Sequence, residues 1–486
     1  MDYSAFQRVD DKLVLPPAYA KYYYTLIGFL VGLCVILNLI FEYNFLIFPG
    51  NALIGIWAAI MMIWYMLLRC YSTRLHRIFE YIISLYGVIN FITYITGNSY
   101  SGAWFIIWSL LLIKDKPKMY DRLNFTKIPR TRKGVWYFFL VIAFLISTLT
   151  VIQGILSAEI VSYPPIAGGQ FYTLTTDGRS YRVHMLCTGE LTTNNHTIML
   201  QHGGGAPGLS LYGIQLKLSK LGYKVCTMDR SGYGYSDPGL YLPHTDDKWV
   251  QDSIKVFEMA GITGPKIVVG HSVGGQLAIK ICGVDTSYKG AILLDSVQAN
   301  YIKEMDSKVP DTYYYGYTDE QINKEYAGIS GAIGTYRFLW AWGLVAMLTG
   351  GHSNFEPADQ GNRFAVLYHQ DKVWQSQYYD WTGGLPVESA DQFASKLKFK
   401  DFPIHTLRAV SNCTNTVLPT DGDKCDKMNT LYSVYKDAAL RQISITGKGS
   451  LEFCKQPCDH GFPWSQVDMA VSFIQRKIQN ITGQGV

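Results

Sequence analysis

Residues 270–274 read GHSVG, a serine set between glycines. The apolar run KIVV precedes them and the helix-like GGQLAIKICG follows. A serine hydroxyl is a weak nucleophile at neutral pH. It needs a base within hydrogen-bond reach and donors for the oxyanion that forms. A sharp strand-to-helix turn supplies the geometry, because it thrusts the side chain out over the sheet. Gly270 and Gly274 keep the bend free of clashes. The helix N-terminus brings backbone N–H groups and a positive dipole end to the same place. Ser272 is therefore the candidate nucleophile. G-x-S-x-G alone is a weak signal; lodged between a strand and a helix it is a much stronger one.

Two upstream stretches extend this chemistry. LQHGGGAPG, residues 200–208, follows the short apolar strand TIMLQ, and its glycines allow backbone N–H groups to approach a substrate carbonyl. Gly204 or its neighbour Gly205 is expected to give one oxyanion donor, and the N–H of Val273 the other. DRSGYGYSDPG, from Asp229, follows the next strand, and Gly232 and Gly234 form a tight turn in it. In chain order, H-G-G-G, D-R-x-G-x-G-x-S, G-H-S-V-G and a late D-H-G resemble the α/β-hydrolase family. The resemblance covers about residue 171 to the C-terminus and leaves out everything before it.

That resemblance implies further roles. His460, in CDHGFPWSQVDMAVSFI, stands where the family carries its catalytic histidine, just before the closing helix. His202 reads as a structural residue of the H-G motif, and His271 as a packing residue. The family usually places its acid soon after the strand matching PIHTLRAV, where this chain has Asn412 and Asn415. An asparagine cannot stabilise an imidazolium by charge. Either Asp421 or Asp423 reaches back from a longer loop, or the acid is Asp295, at the end of AILLD, as in α/β hydrolases that resemble haloalkane dehalogenases. Asp295 is the preferred assignment, because its strand ends beside the site.

The elements that must position these residues alternate. QFYTLTT and YRVHMLC form a strand pair around DGRS. TIMLQ, YKVCTMD, KIVVG, GAILLDS, FPIHTLRAV and LRQISITG read as strands. LYGIQLKLSKLG, DDKWVQDSIKVFEMAG, VGGQLAIKICG and SQVDMAVSFIQRKI read as helices. Such alternation predicts an α/β fold: a mostly parallel sheet covered on both faces. The hydrolase core is expected over residues 159–297 and 401–486. Residues 298–400, rich in Tyr and Trp, are too long for a loop and read as a helical cap. The cap's run TYRFLWAWGLVAMLTG, 335–350, suits a greasy pocket wall or plain packing.

Ahead of the core, residues 1–158 read as an all-α transmembrane bundle. Apolar runs cover 22–41, 52–69, 78–96, 103–113 and 135–156; a helix needs about 20 apolar residues to cross a bilayer. Arg69, Arg74 and Arg77, and the basic stretch from Lys114 to Lys133, mark two cytoplasmic loops. Residues 42–51 and 97–102 contain no Lys or Arg, and Arg8, Lys12 and Lys21 place the N-terminus inside. Five spans satisfy all of this and put the hydrolase domain on the extracellular or lumenal side; four do not. The seven cysteines beyond residue 158 are then expected to form disulfides. Asn195, Asn412 and Asn480 become glycosylation acceptors. His460 does not complete a zinc spacing with Cys413, Cys425, Cys454 and Cys458.

These features point to a membrane-anchored serine hydrolase. Its partners would be the lipid bilayer and a small-molecule or lipid acyl substrate, with no cofactor and no metal. The net charge of +5 says little about partners, but the absence of a phosphate loop, a dinucleotide fingerprint and a patterned basic surface on the soluble half argues against nucleic-acid and nucleotide partners. A serine in the elbow argues against dehalogenase and epoxide hydrolase chemistry. An aminopeptidase is the alternative enzyme, since HGGGAPG is similar to the glycine-rich turn of proline iminopeptidases. A binding or scaffold protein on the same fold is favoured only by Asn412 and Asn415. A transporter would need charged residues within the spans, where Glu80, at a span end, is the main acidic candidate.

Overall fold

In the computed structural model, the described residues are 159–176, 178–191, 195–238, 245–296, 331, 357–368, 370–379, 390–409, 422–454 and 458–483. The chain divides into two compact units, one of residues 1–158 with 338–344, the other of 159–337 with 345–486. The first unit, and with it the five apolar runs, lies outside the described residues, as do Asn412, Asn415, Asp421 and the cap run 335–350. Among the described residues no helix is long and apolar enough to cross a membrane.

The second unit is built on one eight-stranded sheet. Its strands are β1 (Gly169–Thr176), β2 (Arg179–Thr188), β3 (Thr197–Gln201), β4 (Lys224–Met228), β5 (Lys266–His271), β6 (Tyr288–Leu294), β7 (Ile404–Arg408) and β8 (Gly449–Phe453). Their order is β1-β2-β4-β3-β5-β6-β7-β8. β1 pairs antiparallel with β2, and β2 antiparallel with β4. Every later pair is parallel. Strand order reverses between β3 and β5, which is where open α/β sheets bind ligands, beyond the carboxyl ends of the strands.

Two helical layers cover the sheet, and side-chain alternation sorts residues between them. Ile198, Leu200, Ile267, Val269, Ile292 and Leu294 face α1 (Tyr212–Lys220) and α9 (Val467–Thr482). Met199, Val268, Ala291 and Leu293 face α2 (Asp246–Met259) and α3 (Val273–Val284). A strand buried on both faces reads as a continuous apolar run, which is what TIML and KIVV are. The N-cap of α2 is Thr245, whose hydroxyl accepts the Lys248 N–H at 3.3 Å. Asp246 and Asp247 occupy its first turn, as the helix dipole favours, and both pair with the buried Lys280 of α3. α9 ends in the left-handed Gly483.

One expected strand is absent. LRQISITG, residues 440–447, was expected to be a strand from its alternating apolar residues. Instead 440–444 finish α7 (Gly422–Ser444), and the strand is GSLEF, just beyond. Ala438, Ala439 and Gln442 are buried at helical spacing while Leu440 is exposed, so the period is 3.6 and not 2. Of the expected cap, the described parts include α4 (Gly361–Tyr368), α5 (Asp371–Tyr379) and α6 (Ala390–Ser395). α8 (Phe462–Ser465) follows β8.

Candidate active site

Ser272 occupies the bend between β5 and α3 at φ 54° and ψ −122°. Few L-residues adopt such a conformation, and it persists only where the surroundings over-determine it. Here they do. The Ser272 N–H donates to Leu294 O at 3.1 Å, and Ser272 O accepts the Gly275 N–H at 3.0 Å. A Cβ on Gly270 would lie 2.1 Å from Gly274 O, and one on Gly274 would lie 2.3 Å from Gln201 O. Both glycines expected from the sequence are therefore required by backbone contact. Ser272 is 7% exposed.

His460 lies between β8 and α8 and reaches the same strand ends. Its Nδ1 is 2.7 Å from Asp295 Oδ2. Asp295 follows β6 at φ 42° and is held on several sides. Its own N–H donates to Leu407 O at 2.8 Å, its Oδ1 accepts the Ala409 N–H at 3.1 Å, and Arg408 Nη1 stands 3.5 Å from Oδ1. Burial alone would raise this carboxyl. The His460 hydrogen bond, the Arg408 charge and the Ala409 N–H outweigh it and hold the group well below the usual carboxylate range. Asp295 is thus ionised, and an ionised carboxylate on Nδ1 fixes the imidazole with its Nε2 free to take a proton. The His460 side chain is 53% exposed. Of the other two carboxylates considered, Asp421 lies outside the described residues, and Asp423 is placed on α7 by its backbone alone.

His271 was expected to pack, and it does more. Its Nε2 lies 2.9 Å from His460 O, its ring is 4.7 Å from the His460 ring, and its edge meets Trp464. Burial and the nearby His460 push its pKa down to about 3, so it is neutral and donates through Nε2. The residue preceding Ser272 therefore grips the backbone of His460. That places the imidazole beside the elbow. Among the described residues, Ser272 and His460 form no hydrogen bond in this conformation; such bonds often tighten only once substrate is bound.

The loop after β3 lies against the elbow. A Cβ on Gly203 would meet Ser272 Cβ at 3.2 Å, and one on Gly204 would meet Val273 Cγ2 at 3.4 Å. Gly205 has φ 73°, and a Cβ there would meet Gln377 Nε2 at 2.8 Å. Of the expected oxyanion residues, Gly204 thus lies against Val273, the residue after Ser272, while Gly205 packs against Gln377. His202 is fully buried and structural, as expected. Its Nδ1 contacts Gly203 O at 2.9 Å and its Nε2 accepts the Arg230 N–H at 3.2 Å. Burial and the Arg230 charge hold it neutral.

Several residues that brace these loops have no role assigned by the sequence analysis. Asp229 accepts the Gly208 N–H at 2.6 Å and the Tyr235 N–H at 3.0 Å, and its Oδ2 is 2.9 Å from His184 Nδ1. Lys372 of α5 donates to Ser236 O at 2.7 Å. Its burial depresses the ammonium to about 8. Arg408 also donates to Ser296 O. A single charged residue at the polar end of an apolar strand was the available signal for Asp229, Arg230 and Arg408.

Among the described residues, two disulfides support the same region. Cys187–Cys226 joins paired positions of β2 and β4. Cys454–Cys458 links the residue just after β8 to the residue two positions before His460. Cys282 is a buried free thiol; Cys413 lies outside the described residues.

The family model for serine aminopeptidase, S33, matches residues 192–299, the stretch from β3 to just past Asp295. An uncharacterized protein of Schizosaccharomyces pombe is 26% identical over 166 residues, 28% of this chain. The probable transporter efuK of Hormonema carpetanum is 37% identical over 79 residues, 16% of this chain. These matches span 30% and 11% of the two relatives' own lengths. Among solved structures, the Cif epoxide hydrolase of Acinetobacter nosocomialis overlaps 68% of this chain and 96% of its own, at 13% identity and a TM-score of 0.48. A probable hydrolytic enzyme of Pseudomonas aeruginosa overlaps 64% and 93%, at 16% identity and 0.42. The strand order and the residues at the strand ends carry the assignment: the chain has an α/β-hydrolase fold, and its stretch 192–299 matches the serine aminopeptidase family.

Proposed function

We propose that the protein is a membrane-anchored serine hydrolase that cleaves a lipophilic acyl ester through an acyl-enzyme on Ser272. The observation that carries this reading is the His460–Asp295 contact of 2.7 Å at the strand ends that also hold Ser272. Ser272 Oγ attacks the substrate carbonyl while His460 Nε2 takes the hydroxyl proton. Asp295 stabilises the imidazolium. The N–H groups of Val273 and of Gly204 or Gly205 receive the oxyanion. His460 then gives its proton to the leaving alcohol, and the acyl group stays on Ser272. Water, deprotonated by His460, releases the acid and restores the serine.

The aromatic residues 298–400 and the N-terminal apolar runs favour a greasy substrate and a bilayer anchor. In this reading five spans put the hydrolase unit on the extracellular or lumenal side. The two disulfides and the exposed Asn195 and Asn480 are in keeping with that compartment. Glycosidase sensitivity of the expressed protein tests the topology: a mass shift lost when Asn195, Asn412 and Asn480 are all changed to Gln supports it, and no shift in the unchanged protein opposes it.

A second reading, an aminopeptidase, is favoured by the family match at residues 192–299. Such an enzyme needs a carboxylate for the substrate's ammonium. The described carboxylates of the loop after β4 are engaged, Asp229 by Gly208 and His184, and Asp237 by Arg182. The test is a fluorophosphonate probe followed by a panel of acyl esters and aminoacyl anilides. Labelling lost in Ser272→Ala, with esters turned over preferentially, supports the proposal. Labelling with anilide preference selects the aminopeptidase. No labelling of folded protein selects a binding or scaffold role.

A further inference from the structure

The backbone carbonyls of the loop after β3 are engaged by side chains from elsewhere in the fold. Arg230, fully buried, donates from Nη1 to His202 O at 2.5 Å and from Nη2 to Gly203 O at 2.7 Å. The His202 ring donates to the same Gly203 O from Nδ1. Gln377 of α5 lies against Gly205 O, Nε2 to O 3.4 Å. At the far end of the loop, Asp229 accepts the Gly208 N–H. Arg230 is itself fixed, with Tyr233 and Trp249 rings 5.3 and 5.0 Å from its guanidinium carbon.

In a trans peptide the C=O and the next N–H point in opposite directions. Tying Gly203 O to Arg230 therefore sets the direction of the Gly204 N–H, away from the guanidinium. A glycine-rich loop without such ties would flip its peptides at little steric cost. We propose that Arg230 is a positioning residue for the Gly204 oxyanion donor, with Gln377, whose tie to Gly205 O sets the Ala206 N–H, as a second clamp on the same loop. They draw the loop's carbonyls away from the cleft, so that N–H groups alone face the substrate oxygen. Arg230 comes from the loop after β4 and Gln377 from the helical insertion, so donor geometry depends on both. This rests on the serine-hydrolase reading above and adds to it the residues that preorganise the oxyanion site.

The test uses the full-length protein and the variants Arg230→Lys and Gln377→Met. It measures kcat and KM for a reactive acyl ester, and Ki for an alkyl trifluoromethyl ketone, whose serine adduct carries an oxyanion. Arg230→Lys is expected to lower kcat by about 10²-fold, with KM changed by less than about threefold. Ki should rise in step with the loss of kcat/KM, and fluorophosphonate labelling of Ser272 should slow without disappearing. Gln377→Met should show the same pattern at about tenfold. Folded variants with kcat and Ki within about twofold of wild type would overturn the proposal. If Arg230→Lys does not fold, Arg230→Gln, which keeps a side-chain donor without the charge, decides the matter by the same criterion. A wild-type protein that is folded but unlabelled overturns both this proposal and the reading on which it rests.

Discussion

The proposed chemistry depends first on a few side chains whose protonation the fold sets. Asp295 is ionised because His460, Arg408 and the Ala409 N–H offset its burial. Asp295→Asn is expected to lower kcat on the order of 10³–10⁴-fold, because an amide neither fixes the imidazole tautomer nor stabilises its charge. Asp421→Asn should leave kcat near the wild-type value; steady-state kinetics on both variants checks the pair. The nucleophile and base were legible because their types and order are distinctive. Asp295 was legible only as one alternative, since the choice depends on which strand end meets His460. Arg230 was legible as part of a motif but not in its role: a sequence does not show which carbonyls a guanidinium will tie.

At the scale of elements, the elbow is a close backbone contact rather than a flexible turn. Gly274→Ala would set a methyl 2.3 Å from Gln201 O and is expected to cost more than about 3 kcal/mol, or to prevent folding. Gly264→Ala meets only an ordinary contact at 3.8 Å and should fall within about 0.5 kcal/mol of wild type by urea unfolding. The two disulfides should separate in the same way. Loop-closure entropy assigns Cys187–Cys226, 39 residues apart, about 4 kcal/mol, and Cys454–Cys458, 4 apart, roughly 2 kcal/mol. The Cys454→Ser/Cys458→Ser variant should nonetheless lose more activity, because Cys458 lies two positions from His460. Strands buried on both faces could be read from their apolar runs. LRQISITG could not, because Ile443, Ser444 and Ile445 alternate like a strand while the burial of the surrounding residues follows a helix.

For the whole molecule, buried neutral imidazoles link folding to pH. Histidine in an unfolded chain titrates near 6.5. In the fold, burial lowers His271 to about 3 and His405 to about 4, and it lowers His202 strongly. As pH falls below 6.5 the unfolded chain takes up protons that the folded protein does not, so stability declines. Each group then costs about 1.4 kcal/mol per pH unit until its folded pKa is reached. Above pH 6.5 these groups add no further pH dependence. Urea unfolding at pH 7 and pH 5 should show the loss, and His405→Gln should reduce its slope by one such increment. The depressed Asp229 and Asp295 act lower still: their contribution is present above about 3.8 and is lost toward stronger acid. At this scale the alternation of strands and helices made the layered sheet legible, since each strand's apolar run had to be covered on two sides. Which side chain of the insertion meets which loop was not legible, because those contacts join residues more than a hundred positions apart. The central claim is a covalent acyl group on one hydroxyl. Full-length protein mixed with a p-nitrophenyl acyl ester, quenched in acid and digested, should show the acyl mass on the peptide containing Ser272. An adduct on another residue, or unchanged ester turnover in Ser272→Ala, would contradict the account.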